Sequence, residues 1–167
     1  MPPVCCDQRM WQFAGLPLHP LLVHAAVVLL PLAALMLIVG SVWPAARRRL
    51  GILTPIVAIV GGGFALLAKQ AGEALERQVP ETALVEAHTR MGDGPVIWAF
   101  FLIVVAVAQW GWFWWRARRA DRPLAGARII TGVIAVVAVA VAIGTTVDLV
   151  LVGDSGARAV WSALGGA

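Results

Sequence analysis

The chain has 167 residues, 60% of them hydrophobic and 13% charged, with a formal net charge of +4 and a mean hydropathy of +0.86. Ordinary soluble domains carry about a quarter charged residues, so the composition excludes one and points to the bilayer as solvent. The positive balance reads as membrane topology and contact with anionic lipid; nucleic acid is a poor partner because the arginines lie immediately beside apolar runs.

Residues 1–15 are expected to form a flexible, retained tail. They lack the apolar core of a signal peptide, and the adjacent Cys5 and Cys6 make neither a disulfide framework nor a zinc site. Met10 is an alternative start that would remove both cysteines. Four apolar runs follow, at about 21–43, 50–68, 95–115 and 129–152, each near the roughly 20 residues needed to cross a hydrocarbon core. Such continuous runs are too long for the alternating strands of a membrane barrel, so helices are the spanning form. The sequence predicts an all-α polytopic membrane protein, a four-transmembrane-helix bundle over 16–161, with 162–167 as a C-terminal tail.

Pro17 and Pro20 mark the start of the first span, where a missing N–H costs nothing, and Pro31 is expected to kink it. His19 lies at or just before the cap. His24 follows at i+5, which separates the two side chains by roughly 140° on an ideal helix, so they form no chelate on one face. In the second run, Gly61 with Ala65 and Ala68 with Gly72 are small-residue steps that let a neighbouring backbone approach. Helical periodicity continues through Lys69, Glu73 and Arg77, whose i, i+4 pairing fits a solvated extension; an inward-turned Glu73 is the open alternative. A short amphipathic helix is expected in the middle loop over 81–91, with Leu84, His88 and Met91 on one stripe. Gly92 stops it, and Asp93 caps the third span ahead of Pro95. The tryptophans from Trp110 to Trp115 read as an interface anchor. In the fourth run Ala140, Gly144 and Asp148 recur at i, i+4, a small stripe ending in the only carboxylate inside a span.

Eight of the 13 basic residues sit in the first and third connections: Arg47, Arg48 and Arg49, then Arg116, Arg118, Arg119, Arg122 and Arg128. The middle connection carries five acidic residues (Glu73, Glu76, Glu81, Glu86 and Asp93) against Lys69, Arg77 and Arg90. The positive-inside rule then puts the arginines in the cytoplasm, with both termini and the middle loop outside. All three histidines fall near that outer face, as does Asp148. Charged groups within lipid usually mark function.

The residues His19-Pro20-Leu21-Leu22-Val23-His24, Gly72-Glu73, His88 with Gly92-Asp93, and Gly153-Asp154-Ser155-Gly156-Ala157 resemble a bacterial domain-of-unknown-function family of four-helix membrane proteins, over about 15–161. The resemblance implies the same fold and topology in a bacterial inner membrane. It also implies a histidine between the final glycines, a position held here by Asp154. It carries no activity.

Three readings follow. A cofactor protein ranks first, a redox or accessory membrane subunit with an outward-facing cluster. In it His24 and His88 are axial ligands of a haem, or His19, His24, His88 and Asp148 surround a transition-metal ion, with Glu73, Asp93 and Asp154 in support. A non-catalytic structural or accessory protein is the alternative. A small proton-coupled transporter with a His24–Asp148 relay ranks last. Partners beyond the bilayer would be a second copy or a redox or membrane complex. An enzyme without a cofactor is disfavoured, since the sequence has no P-loop, no His-Glu-x-x-His and no nucleophile–base motif.

Overall fold

The computed structural model describes residues 12–13, 16–77, 79, 81–119 and 125–163; the readings on Cys5, Cys6 and Met10 fall outside them. Two short strands, β1 (Gln12–Phe13) and β2 (Leu16–Pro17), pair antiparallel and lead into helices α1 (Leu18–Val42), α2 (Pro44–Leu50), α3 (Leu53–Glu76), α4 (Ala83–Met91), α5 (Gly94–Arg118) and α6 (Ala127–Ala163). Among the described residues, four helices are long and apolar enough to cross a membrane, one from each predicted run, so the all-α four-span fold expected from the sequence is the fold observed. The amphipathic helix of the middle connection is α4, which Thr82 caps by accepting from Val85 N.

The helix ends depart from the sequence reading in three places. Proline 44 cannot extend α1, for lack of an N–H, and it begins α2, a short helix holding Arg47, Arg48 and Arg49. Gly51, at φ +45°, then turns the chain into α3 through a conformation that side chains disfavour. The third departure is α6, which runs 11 residues past the expected boundary at 152, to Ala163. Gly153 and Gly156 lie inside it without ending it, because packing outweighs their weak helix propensity.

The helix α1 packs against α3 and α6, and α5 packs against the same two; α4 lies on α6. The spans thus form a four-sided bundle with α1 and α5 at opposite corners. The beginnings of α1 and α5 and the late parts of α3 and α6 share one end, the histidine end. The core is built mainly from small residues: Ala26, Ala33 and Ala34 on α1, Ala58, Gly61, Gly62, Ala65 and Ala68 on α3, Ala99 and Ala106 on α5, and Ala138 and Ala142 on α6. Lipid tails are as apolar as leucine, so helices associate through close packing rather than water exclusion. A Cβ added at Gly61 would sit 3.1 Å from Leu30, and one at Gly62 would sit 2.8 Å from Ile103.

On α6 the expected stripe divides. Ala140 is exposed, while Gly144 receives the Trp98 ring and Asp148 meets Gly94, both on α5. The hydroxyls of Thr145 and Thr146 donate to the carbonyls of Val141 and Ala142 at 2.8 and 2.9 Å, which satisfies them without a neighbouring helix.

Gly144→Ala would press a methyl group into the Trp98 indole. It should cost about 1–3 kcal/mol by overpacking and lower the midpoint of thermal unfolding in detergent. Gly63→Ala, where nothing lies within 4 Å of the new Cβ, should be neutral or stabilising by up to about 1 kcal/mol. Equal midpoints for the two variants would contradict the packing described.

Candidate functional site

His19 and His88 meet at the histidine end, their ring centroids 6.5 Å apart and their planes at 76°. His19 lies in the first turn of α1, seven residues before Ala26 and fourteen before Ala33, on the buried face of the helix. That face turns it toward α3, where Nδ1 donates to the Ala68 carbonyl at 2.7 Å. His88 projects from α4 onto α6. Its Nδ1 lies 2.9 Å from Ser155 Oγ, and Ser155 spends its own proton on the Val152 carbonyl at 2.8 Å, so the serine accepts from the ring.

Both rings therefore carry their proton on Nδ1. When neutral, each keeps a lone pair on Nε2. Burial and the nearby His19 lower the pKa of His88 from its ordinary 6.5, against a smaller opposing effect of the Val152 carbonyl. Desolvation disfavours the charged ring, which keeps that lone pair available near neutrality.

Two glycines make the arrangement possible. An added Cβ at Gly72 would lie 3.0 Å from the His19 ring, and one at Gly156 would lie 3.0 Å from the ring of His88. Helix backbones thus flank both imidazoles, and alanine at either position would push a ring away.

The remaining predicted residues lie outside this pair. His24 is exposed and turns back to the Pro20 carbonyl at 2.6 Å, on the side of α1 that also exposes Val28 and Leu32. The i, i+5 spacing is the physical reason: one histidine facing the core leaves the other on the outer surface. The ring that lies beside His88 is that of His19, while His24, expected to pair with His88, faces outward. Glu73 is exposed and paired with Lys69 at 3.1 Å, in keeping with a solvated extension of α3. Asp93 gives its carboxylate to Lys69 at 2.9 Å and makes no side-chain cap for α5. Asp154 pairs with Arg158 at 2.7 Å on the exposed side of α6. Asp148 lies against Gly94 at the start of α5, seven residues or about 10 Å along α6 from Ser155. Among the described residues no hydrogen bond or ion pair joins it to His24, and no group of three or more His, Cys, Asp or Glu side chains is placed to hold a metal ion. Ser155 is the residue the sequence reading passed over. Its signal was the motif Gly153-Asp154-Ser155-Gly156, in which helical continuity, not the glycines, decides which side chain faces inward.

Four apolar spans with an imidazole pair and a set of ion pairs at one end define a small polytopic membrane protein. The chain belongs to the family described as predicted membrane protein (DUF2231), whose model matches residues 15–166. No curated protein and no solved structure matches it.

Since the folded pKa of His88 lies below 6.5, the unfolded chain takes up the proton first as pH falls. Stability linked to this ring is intact above about pH 6.5 and is lost progressively below it. The thermal midpoint in detergent should fall between about pH 7.5 and about pH 5, and His88→Asn should flatten that fall. An unchanged pH profile in the variant would show that His88 is not the titrating group.

Proposed function

We propose that this protein is an accessory membrane subunit that holds one transition-metal centre at the histidine end, with Nε2 of His19 and Nε2 of His88 as its protein ligands. The observation that carries the reading is the pair of Nδ1 hydrogen bonds, to the Ala68 carbonyl and to Ser155 Oγ. Metal-binding histidines almost always donate their other ring N–H to such an acceptor, which fixes the tautomer and raises ligand basicity. The spacing supports it as well. An ion about 2.0–2.1 Å from a ring nitrogen lies about 3.2 Å from that ring's centre, so two rings on one ion reach at most about 6.4 Å between centres, and the rings here, 6.5 Å apart, would have to draw slightly together to share one.

Two neutral imidazoles fit iron or copper, either as the axial pair of a haem or as a near-linear pair on a bare ion. A centre of either kind would supply one-electron chemistry, while the protein's share is to orient the two rings and keep that of His88 neutral. By the positive-inside reading the site faces away from the cytoplasm.

Purification in detergent, followed by an absorption spectrum and metal analysis, tests the proposal. One haem or one ion per chain is expected, retained in His24→Ala and lost in His19→Ala and in His88→Ala. Ser155→Ala should weaken binding by about 10–100-fold, the usual cost of removing an outer partner of a ligand. Absence of both haem and metal, with no saturable uptake of added haem, copper(I) or iron(II), would overturn it.

A further inference from the structure

The opposite end of the bundle holds a cavity of about 640 Å³, within the range of small-ligand sites, lined by residues of α1, α2, α3, α5 and α6. Its walls include Arg47, Arg48, Arg116, Trp110 and Phe113, with Gln109 deep in the bundle, and among the described residues no acidic side chain lines it. Gln109 is 4% exposed and donates to the Leu37 carbonyl at 3.3 Å and to Ser41 Oγ at 2.7 Å. Both amide hydrogens are thereby used to tie α5 to α1, which fixes the inner wall.

The three arginines differ in what already holds them. Arg47 donates to the Gly40 carbonyl at 3.1 Å and lies 3.5 Å over the Phe113 ring. Arg48 and Arg116 have no ion-pair or ring partner among the described residues. Just outside the cavity lining, Arg118 and Arg119 lie over Trp114 and Trp115 at 3.7 and 4.7 Å. Partial burial and the adjacent Arg48 both disfavour the charge on Arg47, lowering its pKa. An anion in the cavity would offset the repulsion between the two guanidinium groups.

We infer that this cavity binds the phosphate headgroup of one anionic phospholipid, held by Arg48 and Arg116 beside the anchored Arg47. A lipid, rather than a free anion, is favoured by position. The cavity opens where α5 ends in the band of Trp110, Trp112, Trp114 and Trp115, residues that prefer the headgroup layer, and basic pockets between spans suit lipid headgroups. The tryptophan and phenylalanine walls give glycerol and upper acyl carbons apolar contact, which inorganic phosphate cannot use.

Native mass spectrometry of the delipidated full chain in detergent, titrated with phosphatidylglycerol, phosphatidylcholine or inorganic phosphate, tests this. One phosphatidylglycerol should bind saturably and more tightly than phosphatidylcholine. Affinity should fall about fivefold in Arg48→Gln or Arg116→Gln and about 30-fold in the double variant, taking the usual worth of one arginine near an anionic surface. The double variant Arg118→Gln/Arg119→Gln should keep most of it. The wild-type titration stands even where a variant inserts or folds poorly. Equal binding of the two lipids, displacement of phosphatidylglycerol by millimolar phosphate, or an equal loss in the Arg118/Arg119 variant would each overturn the inference, pointing to non-selective contact, a free-anion site or diffuse surface charge.

Discussion

Close approach of helix backbones at small residues is the constraint on which the rest of this structure depends. Burial from lipid gives apolar side chains little reason to meet, so association rests on contact quality. Gly61 takes Leu30, Gly62 takes Ile103 and Gly144 takes Trp98. The same device builds the histidine end, where Gly72 lies against His19 and Gly156 against His88. Packing and site are therefore one arrangement: separating α1 from α3 to admit a side chain at 72 would also draw His19 off the Ala68 carbonyl.

What the sequence made legible follows the length scale of each signal. A span is announced by about 20 apolar residues, so all four were readable, as was α4 from its stripe of Leu84, His88 and Met91. Helix ends depend on a few residues. The overrun of α6 could not be seen because Gly153 and Gly156 look like stops, and only contact with α4 shows why the helix continues. Ser155 was hidden with it. The histidines show the same limit at one residue. Their i, i+5 spacing said that His19 and His24 face different ways, but not which one faces inward; that depended on the rotation of α1, set by Ala26, Leu30, Ala33 and Leu37 in the core. Asp93 is a further case. Its position fits a cap, yet Lys69 reaches it from α3, a contact between residues far apart in the chain.

The two ends divide the polar chemistry. At the histidine end, acids and bases meet in exposed pairs such as Lys69 with Asp93 and Glu73, which solvent screens, and the specific contacts are those of the imidazoles. At the other end guanidinium groups rest on aromatic faces, with Gln109 tied inside. Among the described residues excess positive charge is thus confined to one end, the asymmetry that orients a polytopic protein in its membrane.

Asp148 links fold to site. Its Oδ2 is buried without a hydrogen-bond partner, a cost that needs an offset. The carboxyl group lies against Gly94, the first residue of α5, at the positive end of a 25-residue helix. Only a glycine leaves room there. An interaction of this kind, worth about 0.3–2 kcal/mol depending on burial, favours one height of α6 beside α5. Ser155 lies seven residues, about two turns, farther along the same rigid helix. Because α6 is continuous between them, the height at which Asp148 meets Gly94 and the level at which Ser155 meets His88 are set together.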